Sequence, residues 1–376
     1  MELITRNKDI ITGSDDLEEL HSLKEYPIFM GCVKQPLKED LRAEQTWVIC
    51  RKSGIIQLKK LIPLEILYKE HHNSGAVGAT WMDHHQKFSE YILKNNPKNV
   101  LEIGGGHGIL AKKCLSKIKI PWTILEPNPN PVEGCEASFL EGFFDDKFKI
   151  DSNVDTIIHS HLLEHIYDPI QFFKNLSRTK TSTKLIFSIP NMNEMLKRKY
   201  TNCLNFEHTI FLTEPLVEFL LSSNGFELIE KKYYKEDHSI FFNCIKKNKL
   251  KIIKLPENYY LNNKLIFNEY INYHNNLINN LNYEINKNHS KVFLFGAHIF
   301  SQYLLEFGLN SDKIECILDN DKCKQDKRLY GSRLMVKSPG ILKKYHKPLI
   351  ILKAGAYNEE IKEDILKNIN SNAEFL

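Results

Sequence analysis

The residues best placed to do chemistry are Glu102, Gly104, Gly105, Gly106 and Gly108, in the run Glu102-Ile-Gly-Gly-Gly-His-Gly108. Glycine lets a backbone turn tightly and come close to a ligand that a Cβ would push away. The run follows an apolar segment, NVLEI (99–103), and precedes a helical one, ILAKKCLSK. Eighteen residues after Gly108, at the end of the next apolar segment, stands Glu126, followed by Pro127. An acid there can accept hydrogen bonds from both hydroxyls of a ribose. Strand, glycine loop, helix, strand and terminal acid, in that order, are the context a nucleoside-type cofactor site requires. A pyrophosphate disfavours a carboxylate two residues before the first glycine. The same carboxylate, Glu102, can answer the positive charge at the amino-acid end of S-adenosylmethionine, directly or through water. The spacing therefore points to S-adenosylmethionine rather than to a dinucleotide.

These residues need a sheet to hold them. The length of 376 residues implies two or three domains. With 42% hydrophobic and 26% charged residues, the composition is globular rather than disordered. A net charge of +4 is too small to argue for a nucleic-acid partner. No stretch reaches the ~20 apolar residues needed to cross a bilayer, so no membrane partner is expected. The start, MELITRNKDI, does not read as a signal peptide. Eight cysteines without a C-x-x-C pair point to free thiols and a cytoplasmic setting.

Residues 1–70 read as a small module with strands at Thr46–Cys50 and Gly54–Leu58. Residues 75–248 open on a helix at 85–94 and then alternate strand and helix: NVLEI, WTILEP (122–127), VDTIIHSH (154–161), DPIQFFKNL, TKLIFSIP (183–190) and a helix at 213–223. Such alternation with near-continuous apolar strands makes an α/β fold with a parallel sheet covered on both faces. FELIEKKYY and SIFFNCIK should pair antiparallel at the sheet edge. Residues 257–290 read as a long helix leading into a second α/β unit, so that 255–376 form a C-terminal domain.

The glycine run and HLLEHIYDP (161–169) resemble the class I, Rossmann-like methyltransferases. The resemblance implies that His159 to Leu162, with His161 among them, border the methyl-donor pocket, and that Gly142 and Phe143 flank the adenine. It leaves Glu164 and His165 to cap and pack a helix start. The whole chain further resembles the three-domain C-methyltransferases of nucleotide-linked deoxysugars. NFEHTIFLTEPLVEFLLSSNGFEL (205–228) is similar to that family's H-E-H-x-x-x-F segment, which carries the role of general base to His208, with Glu207 beside it. Imidazole suits that role near neutral pH. His238 stands where the family has an H-G-G-S turn. Glu70-His-His72-Asn73-Ser74 replaces a tyrosine-rich segment, making His72 and then His238 the next choices for a base. DIITGS (9–14) and CRKSGIIQL (50–58) follow the family's zinc module, but Asp9, Thr12 and Ser53 stand at three ligand positions and Cys50 alone remains. A structural zinc needs four such donors, so no zinc is expected. His71, His72, His84 and His85 read as exposed histidines. In the C-terminal unit, Phe295-Gly296-Ala297-His298 has too few glycines for a second dinucleotide.

The function expected is methyl transfer from S-adenosylmethionine to a sugar, nucleotide-linked, at carbon or oxygen. Another small metabolite as acceptor, or a non-catalytic cofactor-binding protein, are the alternatives.

Overall fold

The computed structural model describes residues 1–68, 78–288 and 290–376. His71 and His72, with the rest of the Glu70–Ser74 segment, lie outside the described residues. The centre of the molecule is a seven-stranded sheet in the order Phe226–Tyr234, Ser239–Lys246, Lys184–Pro190, Thr156–Ser160, Val100–Ile103, Trp122–Glu126, Ser138–Glu141. The last five are mutually parallel. Ser239–Lys246 runs antiparallel to both of its neighbours, so of this pair only Phe226–Tyr234 lies at an edge of the sheet, opposite the edge formed by Ser138–Glu141. Val100–Ile103 is buried along its whole length, as a parallel strand covered on both faces must be. From it the chain passes first to one side, to Trp122–Glu126 and Ser138–Glu141, and then returns to Thr156–Ser160 on the other. The carboxyl end of Val100–Ile103 is thus the point where the strand order reverses, where α/β sheets bind ligands.

The N-terminal residues form a three-stranded antiparallel sheet, Leu17–Pro27, Arg42–Cys50 and Ile56–Leu58. Its inner face does not make a separate core. Trp47, Ile49 and Leu58 share one cluster with Leu101 and Phe187 of the central sheet and with Phe267 and Tyr270. The last two belong to the helix Tyr259–Lys287. The first half of that helix packs into this central cluster, whereas Ile278, Leu281 and Ile285 of its second half pack under the C-terminal sheet. One helix therefore serves two cores, which explains leucine and isoleucine at helical intervals in so asparagine-rich a segment. The C-terminal sheet is five-stranded and parallel, with Val292–Phe295 at its centre. No helix among the described residues is long and apolar enough to cross a membrane.

The N-terminal module and the C-terminal domain meet. Cys32–Val33 pairs antiparallel with Arg328–Leu329. Beside them the buried Asp40 carboxylate accepts two bonds from the Arg328 guanidinium, at 2.5 and 2.6 Å, and one from the Gly331 N–H at 2.6 Å. Removing one partner of a buried, bidentate pair strands the other charge. Asp40→Ala is accordingly expected to lower stability by about 3–5 kcal/mol, measured by urea unfolding.

Candidate active site

The glycine run turns as its composition dictates. Gly104, Gly106 and Gly108 have φ of +69°, +54° and +73°, a region L-residues avoid. A Cβ on Gly105 would lie 2.7 Å from Ile124 Cγ2 and 2.9 Å from the Glu102 carboxyl carbon, so the loop sits directly on the sheet. A Cβ on Gly104 would come within 2.9 Å of Leu162. A Cβ on Gly106 would meet nothing within 4 Å: the loop is tight beneath and open above. Glu126 holds its shape, one carboxylate oxygen accepting from the Gly106 N–H at 3.0 Å and the other from the Asn128 N–H at 3.3 Å. Pro127 follows, half-buried, and Gly142 donates to the Glu126 carbonyl at 3.1 Å, with Phe143 exposed next to it. Glu102 lies under the loop. Burial raises its pKa to about 7, opposed by a 2.8 Å bond from the Trp122 indole N–H.

Glu126→Ala is expected to weaken binding of S-adenosylhomocysteine by roughly 1–3 kcal/mol, the cost of leaving hydrogen-bonding groups unpaired. Titration calorimetry reads it directly.

A cavity of about 920 Å³ opens above the loop. Ser160 and His161 border it, as do Glu164, His165, Glu207 and His208, and its far wall is Phe300, Lys324 and Tyr357 of the C-terminal domain. His159 does not reach it. Its ring is fully buried, stacked on Phe187 at 4.7 Å and set edge-on to Phe172. The expectation that it borders the pocket is corrected: His159 is a core residue, and burial lowers its pKa to about 3. His161 escapes the core because its backbone turns to φ +49° just after the strand ends. Leu162 stays at the loop, against Gly104.

His208 lies beside a group the sequence did not place there. Glu164, His165 and His208 bring one ligand atom each within 4.8 Å of one another. The buried Glu164 puts one oxygen 3.5 Å from His161 Nδ1 and 3.8 Å from His165 Nε2. Glu164 and His165 therefore do not cap the following helix. Asp168 does, accepting from the Gln171 N–H at 2.8 Å. Glu207 faces the His165 ring at 3.8 Å, so the acid whose field acts on His208 is Glu164. Burial raises Glu207 to about 7, with the nearby Glu164 charge adding to it. Burial also holds His208 below its ordinary value, with Glu164 opposing. The ring's Nδ1 lies 3.3 Å from the Cys203 carbonyl, which can only accept. Nδ1 is therefore protonated in the neutral ring, and Nε2 carries the free lone pair.

The N-terminal module fixes this segment. Leu58 N–H donates to the Thr209 carbonyl at 3.0 Å and Phe211 N–H to Ile56 at 2.9 Å. The buried Arg6 guanidinium adds a 2.8 Å bond to Thr209 O. In the same module Asp9 takes the hydroxyls of Thr12 and Ser53 at 2.5 and 2.6 Å, with Cys50 buried near the turn that Gly54 closes. One carboxylate, two hydroxyls and a single thiol do not suit a structural zinc site, and hydrogen bonds tie these turns together. His84, expected to be exposed, is fully buried. His238 borders the cavity, its Nδ1 2.6 Å from the Ser239 hydroxyl.

Residues 70–231 match a family model described as a methyltransferase domain, and residues 257–376 one described as a C-methyltransferase C-terminal domain. No curated protein matches the chain. Among solved structures, a putative S-adenosylmethionine-dependent methyltransferase from Listeria monocytogenes is 14% identical with a TM-score of 0.35, covering 43% of this chain and 99% of its own. Magnesium protoporphyrin IX methyltransferase from Synechocystis PCC 6803, solved with S-adenosylhomocysteine, is 14% identical (TM-score 0.36; 48% and 93% covered). The 1,6-didemethyltoxoflavin-N1-methyltransferase of Burkholderia thailandensis is 14% identical (TM-score 0.38; 48% and 84% covered). The two matched domains, set on a Rossmann-like sheet with a glycine loop at its switch point, make this chain an S-adenosylmethionine-dependent methyltransferase.

Proposed function

We propose that the enzyme methylates a sugar, nucleotide-linked, at carbon or oxygen, with His208 taking the acceptor's proton. The observation that carries this reading is the continuity of the cavity, which runs from Gly104–Gly106 past His208 to the C-terminal domain. Gly104, Gly105 and Gly106 would border S-adenosylmethionine and Glu126 would receive its ribose hydroxyls. The cofactor supplies an electrophilic methyl group. Direct displacement at that methyl needs positioning and exclusion of water more than covalent help, and the cavity is walled mainly by packed side chains. Lys235 and Lys324 are among its lining residues, Lys324 paired with Asp319 at 3.1 Å, and a diphosphate beside them would find compensating charge. The matched description of the C-terminal domain favours carbon as the acceptor atom.

The test is release of S-adenosylhomocysteine against a panel of nucleotide-linked sugars, the free sugars and unrelated small acceptors. Turnover confined to the nucleotide-linked compounds is expected. Turnover with unrelated acceptors alone would overturn the sugar reading.

A further inference from the structure

Three histidines from distant parts of the chain meet beside the same cavity, two of them, His161 and His238, on its wall. His84 comes from the helix Ala79–Lys94, His161 follows the strand Thr156–Ser160, and His238 precedes Ser239–Lys246. Each offers one ring nitrogen, and the three nitrogens lie within 4.8 Å of one another. The ring centroids stand 5.2, 5.4 and 6.0 Å apart.

We infer that His84, His161 and His238 form a binding site for a divalent transition-metal ion such as zinc. Ligand bonds of 2.0–2.1 Å place tetrahedral nitrogens roughly 3.3 Å apart, which modest rotation of the three rings supplies. Three further observations point the same way. Both ring nitrogens of the wholly buried His84 lack a hydrogen-bond partner among the described residues, an arrangement folded proteins avoid unless something is bound. His161 turns Nε2 inward, to 2.8 Å from the Ser239 hydroxyl, and presents Nδ1 to the buried Glu164 at 3.5 Å. A carboxylate behind the second nitrogen is how metal-binding histidines are commonly oriented. Ser239 Oγ also lies 2.6 Å from His238 Nδ1, so His161 and His238 each turn one nitrogen toward the same buried hydroxyl. Trp81 packs against the three rings at 4.8 to 5.3 Å and shields one side of the group. His161 and His238 both border the cavity, so an ion held between them would stand at its edge. An ion there would polarise an oxygen of the acceptor. That consequence rests on the acceptor reading above, whereas binding of the ion does not.

Cobalt(II) titrated into the chelator-stripped full chain tests the site without any turnover. One equivalent should bind and give the visible absorption of a low-coordinate nitrogen site. His84→Gln and His238→Gln should each weaken binding at least tenfold, and Glu164→Gln by about 10–100-fold through loss of the orienting carboxylate. His208→Gln and Cys50→Ser should leave it unchanged. Circular dichroism identifies a variant that fails to fold, and the wild-type titration alone remains decisive. Absence of the cobalt spectrum in the wild type would overturn the site. So would a spectrum that survives His84→Gln and His238→Gln, or one abolished by Cys50→Ser or His208→Gln.

Discussion

His208→Gln is expected to lower turnover by about 10²–10⁴-fold, the scale for loss of a positioned base, while calorimetry shows cofactor affinity nearly unchanged. The geometry separates the two effects. The ring is held by the Cys203 carbonyl, and its backbone N–H by Asn205 Oδ1 at 2.8 Å. Neither contact touches Gly104–Gly106 or Glu126. The pH profile carries the sharper signature. A base acts in its neutral form, and burial holds His208 below the ordinary imidazole value, with Glu164 opposing. The rate should therefore be flat from neutral pH upward and fall only as pH drops below that value, about 6.5. The glutamine variant should lose that acid limb. If it turns over within a few-fold of the wild type, His165 becomes the base, because its ring stands between Glu164 and Glu207.

The central sheet and its glycine loop were legible because burial on both faces leaves long apolar runs: VLEI, TIIHS and KLIFSIP read as strands without further information. Pro169 after Asp168 marks a helix start, and that signal could have shown that Glu164 and His165 were not needed as caps. Leu17–Pro27 escaped because its charged and half-buried residues show no clean alternation. Its irregular pairing, with register shifts after Glu19 and Leu23, blurs it further. The histidines were misplaced for two local reasons. His159 and His161 share parity along a strand, but the strand ends at Ser160 and the left-handed turn at His161 sends its ring elsewhere. Neighbours on a helix point about 100° apart, so of the pair His84 and His85 one can be fully buried while the other reaches the cavity. That His84, His161 and His238 meet at all is a product of three separate elements, which no spacing in the sequence encodes.

Gly106→Leu is expected to abolish binding of S-adenosylhomocysteine while leaving a folded protein. At φ +54° the substitution strains the backbone by about 1–2 kcal/mol, a loss most domains survive. The new side chain projects into open space above the loop, since nothing lies within 4 Å of its Cβ position, and that is the space the ligand requires. Gly105 and Gly108 should behave in the opposite way. A Cβ on Gly105 meets Ile124 and Glu102, and one on Gly108 meets Cys135 Sγ at 2.7 Å and Phe139 Cζ at 2.9 Å. Alanine at either position overpacks the underside of the loop, at about 1–3 kcal/mol. Melting temperature should fall more for Gly105→Ala and Gly108→Ala than an added methyl alone implies, with some cofactor binding retained below the transition. Gly106→Leu should show a smaller melting shift and no calorimetric heat of binding at all. Binding by Gly106→Leu within a few-fold of the wild type would mean that the cofactor does not pass over this loop, and the site assigned to Gly104–Gly106 would have to move.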